Sequence, residues 1–529
     1  MSTAPALTPA QNAARRWLSL TFILVIVASM GLSGWFALYE GSTRFLLPFT
    51  ADDATALVSR AVTDTRAHPS LDTIRRVSEE TWALSLVTSP QRFADSRIME
   101  QGIYYTTMPR TNQVLMAVHV LFGSFCMLVG GLQFWPGFRK RFMKAHRIIG
   151  TIYVVTVPVS VVTVLVYMAR TPPHHIYAHL VAWIALWVFG GLALVAVAMA
   201  VRALKARRIF EHQAWMALSF GCLMVAPLLR LDWVLLAQFL PHIDQETLNL
   251  VTMGIMLPQT MLISYGLILV NRQNPRPMRQ RVPATLARTS ATTFLRLMPG
   301  LFGMAVLFAG LNVWLYEVRG GISGLAAAAK LLPVALLQRE QSVLASHPLS
   351  TLLFTFGISL AFPLGLVAVK RLLRTSGTLA ADSAAAGHEA SVPATDIAII
   401  ATALLSLVSG IGASILGWGI GLAPNAEWVS GGTPYVVNGL VIAGFSLRLL
   451  AARAAKQPAQ MKESLVFLLC LLPFPTLFFI TLEAMSLLPV PADYIAAGQG
   501  FVVPAGFSGA LLFLAILYVV HGQATREHN

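Results

Sequence analysis

Apolar residues recur in blocks of about 20 along the whole chain, and shorter polar stretches separate the blocks. A helix needs about 20 apolar residues to cross the hydrocarbon core of a bilayer. By that measure the sequence predicts twelve membrane spans. Their approximate limits are 17–39, 113–135, 148–168, 178–201, 213–237, 249–270, 296–316, 350–369, 396–418, 434–452, 464–486 and 500–520.

Composition agrees with this pattern. Hydrophobic residues make up 56% of the chain and charged residues 12%, and the mean hydropathy is +0.68. Such a chain is too apolar for a soluble protein, so we predict an all-α polytopic membrane protein whose first partner is the lipid bilayer. The three cysteines lie inside apolar blocks and never as CxxC, so neither a disulfide framework nor a thiolate metal site is indicated.

The positive residues behind the net charge of +15 indicate how the chain is oriented in the membrane. Lysine and arginine concentrate in the short loops after the second, fourth and sixth predicted spans, which is typical of cytoplasmic loops. Nucleic acid is therefore not a predicted partner. Because the first span lacks a small-residue cleavage site, we interpret it as a retained helix, and twelve spans then leave both termini in the cytoplasm.

Two pairs of matching segments indicate an internal duplication. Leu38-Tyr39-Glu40 resembles Leu315-Tyr316-Glu317, and Gly221-Cys222-Leu223 resembles Leu469-Cys470-Leu471. Six spans return the chain to its starting side, so the predicted arrangement is a 6+6 parallel duplication with repeats at 1–290 and 291–529. The second repeat lacks the histidines of the first, since His212 falls opposite Gln460. We therefore expect the first repeat to be functional and the second supportive.

The long outer segment 41–112 of the first repeat has a helical pattern. Leu71, Ile74, Val77 and Trp82 recur at roughly helical spacing between charged residues. This predicts one or two amphipathic helices at the outer membrane surface. A cap packed on the helix ends is favoured over a separate substrate-binding domain.

Four successive spans carry one histidine each. The predicted topology places His119 and His179 near the outer face, and His146 and His212 near the inner face. The two depths differ by about 20 Å. Two facing neutral imidazoles are the usual axial ligands of b-type haem, so the pattern predicts two haems and an electron path across the membrane. The alternative is that each histidine binds headgroups or loop carbonyls at the interface, as the position of His146 beside Arg147 suggests.

Other polar residues extend this hypothesis. Arg230 lies in the outer half of the fifth predicted span with Asp232, where it can meet an outer haem propionate or an anionic substrate, or form an interfacial salt bridge. Four basic residues near the inner face can serve inner propionates, although the concentration of positive charge in cytoplasmic loops alone explains them: Arg139, Lys140, Arg141 and Arg147. Met253, Met256 and Met261 offer thioethers to copper(I), a weaker alternative because membrane-helix methionines ordinarily pack in the core or face lipid.

The histidine region resembles a known family. The motif comprises His119-x-x-x-Gly123, Gly131-Leu132-Gln133-Phe134, His146-Arg147-x-x-Gly150-x-x-Tyr153 and His212-x-x-Trp215-Met216, followed by Arg230. In combination it resembles a family of predicted bacterial membrane proteins of unknown function, over about Asn112–Leu236. The resemblance implies the inner membrane of a bacterium. The family pattern has a second arginine where this chain has Thr151, and it includes His146 and His212 but not His179, which favours the inner pair as ligands.

A second similarity is one of architecture alone. Histidines on four consecutive helices, paired second with fourth and third with fifth, resemble the arrangement in cytochrome b561, which implies a quinone or a redox protein as partner. The leading hypothesis is a haem-b electron-transfer protein or membrane oxidoreductase. Alternatives are a secondary transporter of a small solute and a non-catalytic partner or assembly factor for haem or copper enzymes. The sequence indicates no oligomeric state.

Overall fold

The structure is a computed structural model that describes residues 9–176, 179–272, 284–375, 392–423, 431–496 and 502–524. Every regular element within these ranges is a helix. Ten helices are long and apolar enough to cross a membrane, and one bent helix pair makes up to eleven spans. The predicted class, an all-α polytopic membrane protein, is confirmed.

The twelfth predicted span, 500–520, lies partly outside the described residues. A helix runs over Val502–Ala524, but its described side chains begin at Gly509. The apolar part that is described, Gly509–Gly522, is shorter than a full crossing.

The chain divides into two compact units, Leu7–Arg276 and a second unit that begins at Pro277 and runs to Asn529. The helix that starts the second unit begins at Ala284, and the boundary predicted after residue 290 stays a prediction. The predicted duplication itself stays a prediction.

The N-terminal unit contains a first long helix, six short helices outside the bundle and the histidine-bearing helices. Its helices are α1 Pro9–Glu40, α2 Leu47–Thr50, α3 Ala54–Ala67, α4 Leu71–Val77, α5 Glu79–Ser85, α6 Pro90–Ala94, α7 Arg97–Thr107, α8 Arg110–Phe134, α9 Pro136–Arg141, α10 Met143–Arg170, α11 His179–Lys205, α12 Ile209–Leu223, α13 Val225–Phe239 and α14 Gln245–Arg272.

The C-terminal unit has a similar order of elements. Its helices are α15 Ala284–Val313, α16 Ala326–Leu331, α17 Val334–Ser346, α18 Pro348–Thr375, α19 Val392–Ile420, α20 Thr433–Ala454, α21 Pro458–Leu471, α22 Phe474–Met485, α23 Ala492–Ala496 and α24 Val502–Ala524. In each unit the first long helix continues into a single π-helical turn, Gly41–Phe45 after α1 and Trp314–Val318 after α15.

The fifth predicted span is broken into α12 and α13, which meet at Met224 with a bend of 53°. Pro227 explains the break, because it has no N–H for the carbonyl of Leu223 and its ring clashes with the preceding turn. The pair still crosses the bundle. His212 near the start of α12 lies beside Arg139 of the basic loop, whereas the carbonyls that follow α13 bind Arg92 of the outer segment.

Helices α2–α7 form a cap, which we call the outer cap, on the outer ends of the bundle. Glu40 at the end of α1 accepts hydrogen bonds from the Ser78 hydroxyl (3.2 Å) and the Glu79 N–H (2.9 Å) at the start of α5. Arg92 donates to the carbonyls of Leu240 (3.1 Å) and Pro241 (2.7 Å). The sequence predicted one or two helices over residues 70–86, and the structure has two there, α4 and α5, which Ser70 and Ser78 cap. The other four helices of the cap were not predicted.

Small residues allow the helices of the N-terminal unit to approach closely. A Cβ on Gly221 of α12 would lie 2.8 Å from the backbone oxygen of Thr260 on α14. A Cβ on Gly130 of α8 would lie 2.7 Å from the ring of Phe220. Because association within a membrane depends on such close packing, these glycines hold α8 and α14 against α12.

The C-terminal unit buries a carboxyl group outside its membrane spans. Glu340 of α17 accepts hydrogen bonds from the Tyr435 hydroxyl (2.7 Å) and the Ser323 N–H (2.8 Å), and the Tyr435 and Tyr316 hydroxyls are 2.9 Å apart. Burial raises the pKa of Glu340 above its ordinary value of 4.5. This network joins α17 and α20 to the loop that follows α15.

The buried Glu340 predicts a pH-dependent stability. Because its pKa is raised in the folded state, the folded protein holds the proton more tightly, so stability is greatest below pH 4.5 and falls as pH rises through the folded pKa. We expect Glu340→Gln to flatten this dependence in thermal unfolding of the detergent-solubilised protein. Glu317→Gln, at an exposed carboxylate, should leave the profile unchanged, and an unaltered profile in Glu340→Gln would contradict the assignment.

Candidate functional site

The structure brings the two inner histidines together. His146 and His212 are each the fourth residue of their helices, α10 and α12, and so lie one turn inside the basic end of the bundle. They are close enough to interact electrostatically, and Arg139 acts on both. The two helices belong to the same unit, which brings two imidazoles and a guanidinium together at its basic end.

Hydrogen bonding sets the tautomer of His212. Its Nδ1 lies 3.0 Å from the carbonyl oxygen of Ala200 on α11. A carbonyl only accepts, so Nδ1 carries the hydrogen and Nε2 keeps a free lone pair. Metal-binding histidines typically have this arrangement, in which a backbone carbonyl orients the ring and fixes the ligating nitrogen.

His146 lies among polar atoms without partners. Its buried Nδ1 has no hydrogen-bond partner in the described part of the chain, and the same is true of Gln133 Nε2 and Asn271 Nδ2. Arg139 Nη2 donates to Asn271 Oδ1 at 2.7 Å, and Gln133 Oε1 lies 3.4 Å from the Cβ position of Gly150, one turn beyond His146. Because buried polar groups are ordinarily hydrogen-bonded, unpartnered donors here indicate a place where another molecule binds.

We call His146, His212, Gln133, Arg139 and Asn271 the inner polar cluster. Arg147 lies next to it in sequence and acts electrostatically on His146, but its side chain is exposed. Its predicted contact with an inner propionate stays a prediction.

His119 lies deeper than the sequence predicted. Helix α8 begins at Arg110, so His119 is its tenth residue, about 13 Å along the axis from the helix start. Its Nδ1 lies 2.9 Å from the carbonyl oxygen of Ser160 on α10, and the Ser160 hydroxyl donates to the His119 carbonyl at 3.0 Å. As in His212, the carbonyl contact leaves Nε2 with a free lone pair.

The predicted partner of His119 cannot be placed in the same detail. His179 is the first residue of α11, and its side chain lies outside the described residues. The outer histidine pair therefore stays a prediction.

Arg230 is ion-paired in the outer half of the unit. Its Nε and Nη2 donate to Glu80 of the outer cap at 2.5 Å and 3.2 Å, and its guanidinium lies over the Trp233 ring. The sequence offered a salt bridge as one alternative to a propionate contact, and the structure has that salt bridge. Glu80 was not anticipated, because it lies 150 residues away in the outer cap.

Asp232 does not pair with Arg230. It is buried on the other face of α13, where its Oδ1 accepts a hydrogen bond of 2.8 Å from Gln259 on α14. Ser160 and Gln259 carried no signal in the sequence beyond being polar residues within apolar blocks. Gln133, by contrast, was already part of the family motif.

Apart from the histidine pairs, the described residues offer few side chains that could bind a metal ion. In the described ranges, no group of three or more His, Cys, Asp or Glu side chains is arranged to hold a metal ion. An axial haem pair needs only two histidines. Met253, Met256 and Met261 are buried within the unit, at 4%, 0% and 0% exposure, as expected of core methionines.

Comparison with known proteins supports the predicted family. Residues 116–267 match the model of a family described as predicted membrane protein (DUF2306). The match runs from within α8 to within α14 and contains every residue of the inner polar cluster except Asn271. No curated protein and no solved structure matches the chain. The resemblance inferred from the histidine motif is confirmed, and the protein is a membrane protein of a kind whose function is unknown.

The Arg230–Glu80 pair predicts a measurable coupling. Arg230→Met and Glu80→Gln should each destabilise the protein, and the double variant should lose less than the sum, by roughly 1 kcal/mol, because either single change leaves a partly buried charge unpaired. The measurement is a double-mutant cycle of thermal unfolding in detergent. The more exposed Arg75–Glu79 pair is the control and should couple by about 0.5 kcal/mol or less. Strict additivity for Arg230 and Glu80 would show that the pair does not hold the outer cap.

Proposed function

We propose that the protein is an integral membrane electron-transfer protein that binds haem b between His146 and His212. The observation that carries this proposal is the convergence of the two imidazoles at one end of the bundle, with His212 held by the Ala200 carbonyl so that Nε2 is free. An axial ligand of haem requires such a neutral nitrogen.

The other residues of the inner polar cluster fit the same ligand. Arg139, already positioned by Asn271, supplies the positive charge that a haem propionate needs. Gln133 Nε2 and Asn271 Nδ2 are buried donors without partners among the described residues, and carboxylate oxygens would satisfy them. Haem bound here would gain and lose one electron, and the chain would orient its ligands and balance its charge.

The position of the site suggests its partner. The basic end of the bundle is the predicted cytoplasmic end, so the electron donor or acceptor would be a quinone in the inner leaflet or a redox protein at that surface. A second haem between His119 and His179 would extend the path toward the outer face. The Ser160 carbonyl, which fixes the tautomer of His119, supports this extension. From the family resemblance and the proposed haem, we propose that the protein is an oxidoreductase of the inner membrane of a bacterium.

Spectroscopy of two variants tests the proposal. Purified protein, expressed with ample haem, should show a reduced-minus-oxidised difference spectrum of b-type haem, and a pyridine haemochrome assay should give one or two haems per chain. His146→Ala and His212→Ala should each remove the same spectral component. His242→Ala, at an exposed histidine of the outer loop, should retain it. A colourless wild-type protein that is monodisperse and folded would refute haem binding.

Transport of a small solute is the second candidate, and the broken helices favour it. Both units interrupt a span at corresponding positions, between α12 and α13 and between α21 and α22. Interrupted spans at matching positions of two repeats are typical of transporter binding sites. A transporter would be colourless, would take up solute in proteoliposomes, and would lose uptake on Arg230→Ala or Asp232→Ala.

A further inference from the structure

A buried carboxyl group of α13 has an incomplete set of hydrogen bonds. Asp232 is 3% exposed and is the eighth residue of α13. Its Oδ1 accepts from Gln259 Nε2 at 2.8 Å. Its Oδ2 and the Oε1 of Gln259 are both buried, and neither has a partner among the described residues. Two neighbouring side chains thus present two acceptor oxygens without a donor.

No positive charge compensates this carboxyl group in the described part of the chain. Helix α13 packs against α14, α1, α12 and the outer cap. The ionisable residues of those elements include Glu246, Tyr265 and Arg272 on α14, Arg16, Tyr39 and Glu40 on α1, Glu211, His212 and Cys222 on α12, and Glu79, Glu80 and Arg92 in the cap. None of them is ion-paired or hydrogen-bonded to Asp232, and Arg230 on α13 itself pairs with Glu80.

An ionised carboxylate in this position is costly, because burial removes its hydration and no cation replaces it. Protonation removes the charge and converts Oδ2 into a donor. Gln259 Oε1, on the amide that already binds Asp232, is an acceptor in need of that donor. A single proton on Oδ2 would therefore give both unpartnered atoms, Asp232 Oδ2 and Gln259 Oε1, a hydrogen-bond partner.

We propose that Asp232 and Gln259 form a proton-binding site in the outer half of the N-terminal unit. The carboxylate takes up one proton to become the neutral acid, and releasing it restores the anion. Gln259 orients the carboxyl group through Oδ1 and serves as a positioning residue.

The location indicates where the proton comes from. Asp232 precedes the outer end of α13, Phe239, by seven residues, about 10 Å along the axis. Exchange is therefore with the outer aqueous phase. The carboxyl group is not needed to build the helix, since the register that aligns Cys222 with Cys470 places Ile480 at the corresponding position of the second unit. This site is separate from the inner polar cluster and does not depend on haem binding.

Infrared spectroscopy tests the site directly. The wild-type protein in detergent at neutral pH should show a protonated-carboxyl C=O band that shifts in D2O. Asp232→Asn should remove band intensity equivalent to one carboxyl group per chain. Asp95→Asn is the matched control, because Asp95 also accepts from a glutamine, Gln91, at 2.9 Å but is exposed. It should leave the band unchanged.

Further measurements keep the proposal open to refutation. If Asp232→Asn does not fold, Asp232→Glu retains a carboxyl group, and its band should move in frequency. Gln259→Leu should shift the wild-type band by removing the hydrogen bond to Oδ1. A wild-type spectrum identical to that of Asp232→Asn would overturn the proposal. Loss of the band on adding Na⁺ or K⁺ at constant pH would also overturn it, because the site would then bind a metal cation.

Discussion

The hydrocarbon core of a bilayer offers no hydrogen bonds, and the architecture of this protein follows from that constraint. Backbone groups within the membrane must be satisfied inside the protein, so the described chain crosses as helices. Departures from regular helix occur where protein surrounds them. The break at Met224 follows α12, which buries most of its side chains, and Met224 itself is 2% exposed. A proline at this position is tolerated because neighbouring helices shield the freed carbonyl.

The same constraint divides the polar chemistry of the N-terminal unit between two depths. At the basic end, His146 and His212 lie near Arg139 of the basic loop. At the outer end, Glu40 and Glu80 use their charges to attach the outer cap to the bundle. Between these layers the ionisable side chain of Asp232 has, among the described residues, a neutral amide as its one hydrogen-bond partner. Burying an ionisable side chain within a membrane costs free energy, and such side chains are ordinarily functional.

The two units use buried carboxylates differently. In the C-terminal unit, Glu340 is completely hydrogen-bonded by Tyr435 and by backbone N–H groups, which is the pattern of a structural network. In the N-terminal unit, polar atoms of His146, Gln133 and Asp232 lack partners in the described chain. Among the described residues, most of the buried polar atoms without partners lie in the N-terminal unit, although Asn312, Thr355 and Ser464 of the C-terminal unit also have such atoms. The functional first half and the supportive second half stay a prediction.

The sequence by itself determined the class of the protein, the approximate limits of its spans and the resemblance of its histidine region to a known family, because apolar length and local motifs are properties of neighbouring residues. It also singled out His146 and His212. Only the tertiary structure decided which side chains meet. Ala200 orients His212, Ser160 binds His119 and Glu80 pairs with Arg230, although the last two lie 150 residues apart. These contacts depend on how the helices pack and on how each is rotated about its axis. The sequence of a hydrophobic block long enough to span a membrane does little to specify that rotation.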